Sequence, residues 1–381
     1  MSEDSSSTAA EGELFVGLMS GTSIDGIDAA LVSIGTHALT LLEHHSHAYE
    51  PGLKTTVRAI ATGRNDRLHE LAATDREVGV SFASAANSLL AKAGISPETV
   101  KAIGSHGQTV RHHPQPQQAI SRYTIQIGDP ATIAEHTGID TVADFRRQDL
   151  VASGEGAPLA PAFHAYQFAG DGRRVIINIG GISNATLLDG DEVIAGFDCG
   201  PGNTLLDAWT HKHLKVDFDE NGAWSAENEV DHTLLRKLIG DPYFLRSGPK
   251  STGPEHFNLD WLSSFLSGDE DPGTVQATLA ELTASSICSA ILHHSDRLED
   301  GVFVCGGGAR NIDLMRRLHR KLEEKAIRLG TTDDLGLAAE WVEACAFAWL
   351  ASQRLKNQPG NIPAVTGALG PRVLGAIYAA P

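Results

Sequence analysis

Asp198 follows the apolar run Val193–Phe197 and precedes Cys199-Gly200-Pro201-Gly202-Asn203. A carboxylate in so stiff a turn has little freedom, which suits a general base; the same residues also suit an Asx turn that caps the next helix. A second stretch, Ser20–Asp28 (SGTSIDGID), places two glycines, three hydroxyls and two carboxylates within nine positions. Gly21 and Gly26 permit backbone that a ligand can approach, and the amides and hydroxyls of Thr22 and Ser23 suit phosphoryl oxygens. Asp25 and Asp28 suit a hard divalent cation, directly or through water. The alternative is a hairpin whose Ser and Asp side chains merely cap the turn. Arg146 and Arg147 stand just past an apolar run, where a guanidinium forks onto a carboxylate or phosphate or forms a surface ion pair. His106, in Gly104-Ser105-His106-Gly107, is placed by the pattern at the carboxyl end of a strand, either as a ligand contact or as a structural histidine.

Short apolar runs predict the elements that position these groups. Leu14–Met19 and Ile27–Ile34 read as buried strands around the Ser20–Asp28 turn, with Ala38–Leu42 as a third antiparallel strand. His44, His45 and His47 then lie at a solvated strand end and not in a metal site. Leu53–Ala61 and Leu68–Ala93 read as helices, the second stopped by Gly94. Val100–Val110 predicts a strand breaking into a polar loop at His106, and Tyr123–Asp129 a strand that hands over to a helix beginning at Pro130. Ile139–Asp149 is a third strand-to-loop unit, and Gly154–Pro161 marks a domain crossing. Arg174–Leu188 then repeats the opening form, strand, glycine-rich turn, strand, with Asn178, Gly180, Gly181, Ser183 and Asn184 lining the turn. Thr204–Leu214 and Val275–His294 read as helices. Val302–Asn311 gives a strand, then Gly306-Gly307-Gly308, a turn bare enough for a flat base to lie on, then a helix with Ile312, Met315 and Leu318 on one face. Leu337–Ala351 predicts a helix with Val342, Cys345, Ala346, Trp349 and Leu350 inward, and with Glu343 either exposed or behind the site. Gly360–Tyr378 reads as packed coil. The residues alone reach a two-lobed α/β protein that binds phosphate.

Composition bounds the alternatives. A chain of 381 residues exceeds what one core usually serves, so two domains are expected. A formal charge of -18 argues against nucleic acid or an anionic membrane as the main partner. Cys199, Cys288, Cys305 and Cys345 lack metal-ligand spacing and read as reduced thiols. No uninterrupted apolar run is long enough to span a bilayer, and residues 1–12 read as a disordered lead-in and not a secretory signal. A soluble, cytoplasmic protein is the expectation.

These motifs, taken in order, resemble the anhydro-N-acetylmuramic acid kinase family. SGTSIDGID, Ser105–Thr109 with Arg111, His112 and Pro114, FDCGPGN at Phe197–Asn203, KSTGPEHFN at Lys250–Asn258, Glu343–Ala351 and the ending at Gly360–Tyr378 carry the resemblance. It implies a two-lobed actin-like (ribonuclease H-like) fold of duplicated domains around a central ATP cleft. The lobes would be 13–150 and 151–381, the last segment packing back towards the first. ATP would be held by Gly21, Thr22, Ser23, Ile24, Asp25, Gly26, Ile27, Asp28, Asn178, Gly180, Gly181, Gly306, Gly307 and Gly308, with Mg²⁺ on Asp25 and Asp28. The sugar would meet His106, Asp129, Arg146, Gly200 and Asn203, Arg146 having the lactyl carboxylate as its purpose. Asp198 would be the base in opening the 1,6-anhydro ring before O6 is phosphorylated. A homodimer is implied. A kinase for a free hydroxyl and an ATP-switched binding protein are the rival readings. Three departures stand out: Cys199 where threonine is commoner, Glu155 for glutamine and Pro254 for arginine.

Overall fold

The computed structural model describes residues 12–65, 67–114, 121–246, 250–253, 256–294 and 297–381. The expected lead-in, but for Gly12, and Pro254 lie outside them. Twelve strands among these residues form two sheets. The first contains β1 (Glu13–Ser20), β2 (Gly26–Ile34), β3 (Leu39–Ala48), β4 (Val100–His113), β5 (Tyr123–Ile127), β6 (Thr141–Ala143) and, from the far end of the chain, β12 (Ala376–Tyr378). The second contains β7 (Arg173–Ile179), β8 (Ile182–Asp189), β9 (Glu192–Pro201), β10 (Gly301–Cys305) and β11 (Leu329–Thr331).

The spatial order β3-β2-β1-β4-β6 in the first sheet matches β9-β8-β7-β10-β11 in the second. In each, an antiparallel three-strand meander is followed by two strands parallel to its first member. This is the duplicated ribonuclease H-like sheet of the two-lobed actin-like fold. β1 is buried on both faces over its last six residues, which is why it reads as a continuous apolar run. β3 is an edge strand with alternating exposure, and it runs through His44, His45 and His47 where the sequence pattern ended it at Leu42.

Helices cover the sheets. Leu68–Ala93 ends at Gly94 in the left-handed conformation (φ 67°), as its apolar spacing and stop signal predict. With β1, β2 and β4 it builds one core through Val78, Phe82, Leu89, Val16, Leu18, Ile27 and Ile103. On the other face lies Val342–Leu355, a helix from the last part of the chain, which is buried nearly all round and not on one stripe. It stands in a core shared by both sheets, with Phe15, Ala102 and Val142 on one side and Ile176, Leu188 and Phe303 on the other. Ala160–Phe168, a helix that the loop-like GEGAPLAP composition conceals, joins the same core through Phe163 and Phe168.

Pro272–His294 has the length and composition of a membrane-crossing helix, but Gln276 and Glu281 interrupt its apolar run, in keeping with the sequence reading, and 78% of its most apolar stretch is buried inside the fold. One further expectation changes. The helix Ile312–Glu323 turns Leu314, Leu318 and Leu322 inward, while Ile312, the first residue after the Asn311 cap, is 65% exposed.

The helix Val342–Leu355 approaches the first sheet so closely that two strand positions must be glycine. A methyl group at Gly17 would lie 1.8 Å from the Ala344 carbonyl oxygen, and one at Gly104 2.0 Å from that of Phe347. The obstacle is helix backbone, which cannot rotate aside as a side chain does. Gly17→Ala is therefore expected to cost about 3 kcal/mol, the upper end for overpacking, read as a lowered urea midpoint at unchanged m-value.

Candidate active site

The Ser20–Asp28 turn is braced from below. Ser20 Oγ lies 2.7 Å from the Gly26 carbonyl oxygen and 2.7 Å from Gln108 Oε1, Tyr49 OH donates to Ser20 Oγ at 3.1 Å, and Gln108 Nε2 donates to the Gly21 carbonyl at 3.1 Å. Thr22, Ser23 and Asp25 are exposed at the tip. Ile24 and Ile27, expected among the nucleotide contacts, send their side chains into the core, so only their backbone faces the turn. Gln108, fully buried, is a residue the sequence reading passed over; its place in a strand directly beside the turn is the signal.

The second turn meets the first across the cleft. A methyl group at Gly181 would lie 2.3 Å from Thr22 Oγ1 and 2.8 Å from Thr204 Oγ1. The Gly180 carbonyl accepts from the Asn203 amide at 2.8 Å, and that of Gly181 from Gly202 and Thr204, so this turn is sewn to the start of the helix Thr204–Leu214. The triple-glycine turn lies alongside: a methyl at Gly306 would lie 2.3 Å from Asn178 Oδ1, and one at Gly308 2.3 Å from Ile179 Cγ2. Asn203 Nδ2 donates to the Ile179 carbonyl at 3.3 Å and stands 4.0 Å from where a methyl at Gly307 would be. Three glycine-rich turns from distant parts of the chain thus converge: Gly181, Gly306 and Gly308 are packed so tightly against their neighbours that no side chain fits, while Gly21, Gly180 and Gly307 have nothing nearer than 3.6 Å to where a methyl would be and leave their backbone open. Asn203, expected at the sugar, belongs to this group.

Asp198 lies in β9 and not at its end, 9% exposed. It pairs across the sheet with Asn184, which pairs with Asn178, so the three side chains form a row on the face turned to Val342–Leu355. Its Oδ2 accepts the Thr252 amide at 3.0 Å, and its own amide donates to the Lys250 carbonyl at 2.9 Å. These bonds come from the Lys250–Asn258 loop and not from the following helix, so the carboxylate does not form a helix-capping Asx turn. The Thr252 amide was not legible in side-chain types. Cys199, its neighbour, points into the opposite core, where burial pushes the thiol up. Gly200, at φ 144°, has Phe244 Cε1 2.8 Å from where a methyl would be, so packing as well as backbone conformation requires glycine there.

Within reach of Asp198's charge, Arg146 Nε donates to His106 Nε2 at 3.1 Å, and Nη2 lies 2.8 Å from the same nitrogen. Because arginine only donates, that nitrogen accepts and the imidazole is neutral. Burial, with the guanidinium beside it, holds His106 well below its usual range. His106 sits in mid-strand: β4 continues to His113, past the ends of β1 and β6, because β5 pairs with the extension. Its ring packs 4.6 Å from Phe347. Arg146 Nη1 donates to the Gly156 carbonyl at 2.8 Å. Among the described residues no carboxylate ion-pairs with Arg146, although it feels the charges of Glu343, Asp198 and Asp149. Arg147 is different: it is exposed and pairs with Asp144 at 3.3 Å. Glu343, whose environment the sequence left open, is half-buried beside Asn178 and Arg146, and burial raises its carboxyl.

Asp129 is not brought to this group. Its carboxylate accepts the Ala131 and Thr132 amides at 3.2 Å each and caps the helix Pro130–Thr137, next to Asp75 on Leu68–Ala93. The proline that signals the helix start also explains the cap.

The residues at the mouth bear on a divalent ion. Asp28 Oδ1 accepts Ser46 Oγ at 2.7 Å, whereas Asp25 pairs with Lys54 at 3.3 Å, so the two carboxylates have separate partners. Among the described residues no three His, Cys, Asp or Glu side chains converge as a metal cage. The donor set instead fits an ion held largely by phosphate oxygens and water, which is the habit of Mg²⁺. Asp207, a residue the sequence reading missed, stands behind Asp25. Burial, and then the charges of Asp25, Asp217 and Asp219, push its carboxyl up to about 7. Raised above its unfolded value, this group favours the folded state at low pH, and the contribution is lost as pH rises towards and through 7. Replacing it should therefore help more at high pH: Asp207→Asn is expected to gain about 1–2 kcal/mol more at pH 8 than at pH 5, discounted for partial exposure, read from melting curves at the two pH values.

A sequence model of the family described as anhydro-N-acetylmuramic acid kinase matches residues 13–380. The anhydro-N-acetylmuramic acid kinase of Shewanella amazonensis is 49% identical over 371 residues, covering 96% of this chain and 99% of that one. That of Nitrosomonas europaea is 46% identical over 367 residues, covering 96% and 99%. Among solved structures, the activator of the 2-hydroxyisocaproyl-CoA dehydratase from Clostridium difficile with bound ADPNP aligns with a TM-score of 0.47 at 14% identity, over 90% of this chain and 96% of that one. With the family model spanning nearly all of the described fold and relatives near half identity along their whole length, the chain belongs to the anhydro-N-acetylmuramic acid kinase family and is a phosphotransferase.

Proposed function

We propose that this protein hydrolytically opens the 1,6-anhydro ring of 1,6-anhydro-N-acetylmuramic acid and phosphorylates O6 from ATP, giving N-acetylmuramic acid 6-phosphate and ADP. The observation that carries this reading is a pair of opposed groups in one cleft. Asp198 is pinned by the Thr252 amide, and Arg146 makes no ion pair with a carboxylate among the described residues. A buried guanidinium without an anionic partner is costly unless an anion arrives. The lactyl carboxylate of the sugar is such an anion, and binding it would aim the sugar's anomeric carbon at the base.

In this reading Asp198 takes a proton from water as the water oxygen bonds to C1. The C1–O6 bond breaks, and the freed O6 attacks the γ-phosphoryl group as ADP leaves. One proton is released overall, through Asp198. His106, neutral, holds Arg146 in plane without competing for the sugar's negative charge. The turns at Gly21–Asp28, Asn178–Gly181 and Gly306–Gly308 hold the nucleotide, with backbone donors fixed before the reaction and needing no reorganisation during it. Asp25 and Asp28 would hold Mg²⁺, directly or through water, and the ion would supply neutralisation of phosphate charge. Lobes 13–150 and 151–381, the last segment returning to the first, would close to exclude bulk water.

The reading extends to a cytoplasmic homodimer in cell-wall recycling. ATP is a cytosolic donor, and the four cysteines are free and buried. The assay is ADP release with ATP, Mg²⁺ and the anhydro sugar in ¹⁸O-water. Sugar-dependent turnover with one solvent oxygen in the product is expected, falling by roughly 10²–10⁴-fold in Asp198→Asn. Faster turnover of a reducing sugar, or product without solvent oxygen, would sink the ring-opening step.

A further inference from the structure

Asp149 is a fully buried carboxylate that no part of the mechanism above uses. Its Oδ2 accepts the Gly156 amide at 2.8 Å; its Oδ1 accepts Asn361 Nδ2 at 2.6 Å and Thr366 Oγ1 at 2.7 Å. All three donors are neutral, and among the described residues no cation ion-pairs with it. Burying a carboxylate this way is unfavourable compared with an apolar core, so its value lies in where it holds its partners.

The partners lead to the cleft. The carbonyl of Gly156, whose amide Asp149 holds, accepts Arg146 Nη1 at 2.8 Å. Gly154 is locked by the same residue: its amide donates to the main-chain carbonyl of Asp149 at 2.9 Å, and a methyl there would lie 2.1 Å from the side-chain Oδ2. Between them, the Glu155 amide donates to the Thr366 carbonyl at 2.8 Å, and the Glu155 carboxylate accepts Ser251 Oγ, one residue before the amide that holds Asp198. Asn361 Oδ1 in turn accepts the Arg372 amide at 2.7 Å. One carboxylate thus ties together the Arg147–Val151 helix that follows Arg146, the Gly154–Gly156 loop and the segment Asn361–Thr366, some two hundred residues further along the chain.

We propose that Asp149 is the positioning residue for recognition of the sugar's carboxylate, setting the Gly156 carbonyl so that the Arg146 fork meets that group in register. Asn361 and Thr366 make the chain's last segment part of the same device. The proposal rests on the reading of Arg146 as the lactyl-carboxylate clamp. A bidentate fork loses its match when its plane is tilted, so small shifts of Gly156 fall on the lactyl contact and not on the rest of the sugar.

The test compares two sugars, 1,6-anhydro-N-acetylmuramic acid and 1,6-anhydro-N-acetylglucosamine, which differ by the lactyl group, in the full-length protein. KM is measured where there is turnover, and calorimetric Kd where there is not. Asp149→Asn and Thr366→Val are expected to weaken the lactyl-bearing sugar by about 5–100-fold, the range for an unpaired buried polar partner. The other sugar and the KM for ATP should move less than about 2-fold, and Thr366→Ser, which keeps the hydroxyl, should restore wild-type values. Should Asp149→Asn not fold, Thr366→Val and Asn361→Ala decide. Equal weakening of both sugars, or no weakening of either, overturns the proposal. Arg146→Gln separates the two readings. If it leaves the preference for the lactyl sugar intact, the clamp itself is wrong; if it abolishes the preference while the Asp149 and Thr366 variants keep it, only the positioning role is wrong.

Discussion

The contact on which this molecule depends is backbone on backbone: the first turns of Val342–Leu355 lie against β1 and β4 where Gly17 and Gly104 leave no side chain between them. Close approach puts this helix deep enough to be shared. Its residues join Phe15 and Val142 of the first sheet to Ile176 and Leu188 of the second in one apolar core. Burial on this scale contributes roughly 25 cal/mol per Å² of apolar surface and is non-directional, so the glycines, not the hydrophobic effect, fix where the helix sits. That position is also the floor of the cleft. Phe347 supports the His106 ring and packs on Phe145, and Glu343 stands between Asn178 and Arg146.

The electrostatics of the cleft run against those of the whole chain. A formal charge of -18 makes the surface unwelcoming to anions at long range, yet both partners in catalysis are anionic. Salt screens charges on the surface within about 10 Å, whereas a partly buried guanidinium keeps its field. Arg146 is hydrogen-bonded by acceptors that carry no charge, the His106 nitrogen and the Gly156 carbonyl, while Glu343, Asp198 and Asp149 act on it through their charges without an ion pair to it among the described residues. A carboxylate in place of His106 would have satisfied the same hydrogen bonds and removed the attraction for an anionic sugar.

What was readable in the sequence followed from local physics. The two hairpins, the helix Leu68–Ala93 with its Gly94 stop and the three glycine-rich turns were legible because apolar period and turn chemistry are local signals. The continuation of β4 was not, since Gly107 and the polar residues around it look like a loop until β5 supplies the pairing. The cap role of Asp129 was legible, since an Asp before a proline-started helix is a cap signature, whereas its place at the sugar was only what the resemblance implied. The packing demand at Gly200 was not legible either, because it comes from Phe244, forty-four residues away. Asp149 gave no signal at all, because its three donors come from two segments that only the folded chain brings together.

Duplication explains why the base and the first turn look so different and yet occupy related places. In the first lobe the register Met19↔Asp28↔Ser46 crosses β1, β2 and β3; in the second, Asn178↔Asn184↔Asp198 crosses β7, β8 and β9. Met19 and Asn178 are each one residue from the end of their strands, and Asp28 and Asn184 are each third in theirs. Each row carries one carboxylate. That of Asp28 is met by Ser46 Oγ, a side-chain donor on an edge strand that can turn away to water. That of Asp198 is met by the Thr252 amide, a donor fixed by the main chain. A carboxylate met by a main-chain amide is held to one orientation, as a positioned base requires, whereas one met by a hydroxyl on an edge strand can exchange that partner for water or another ligand at little cost.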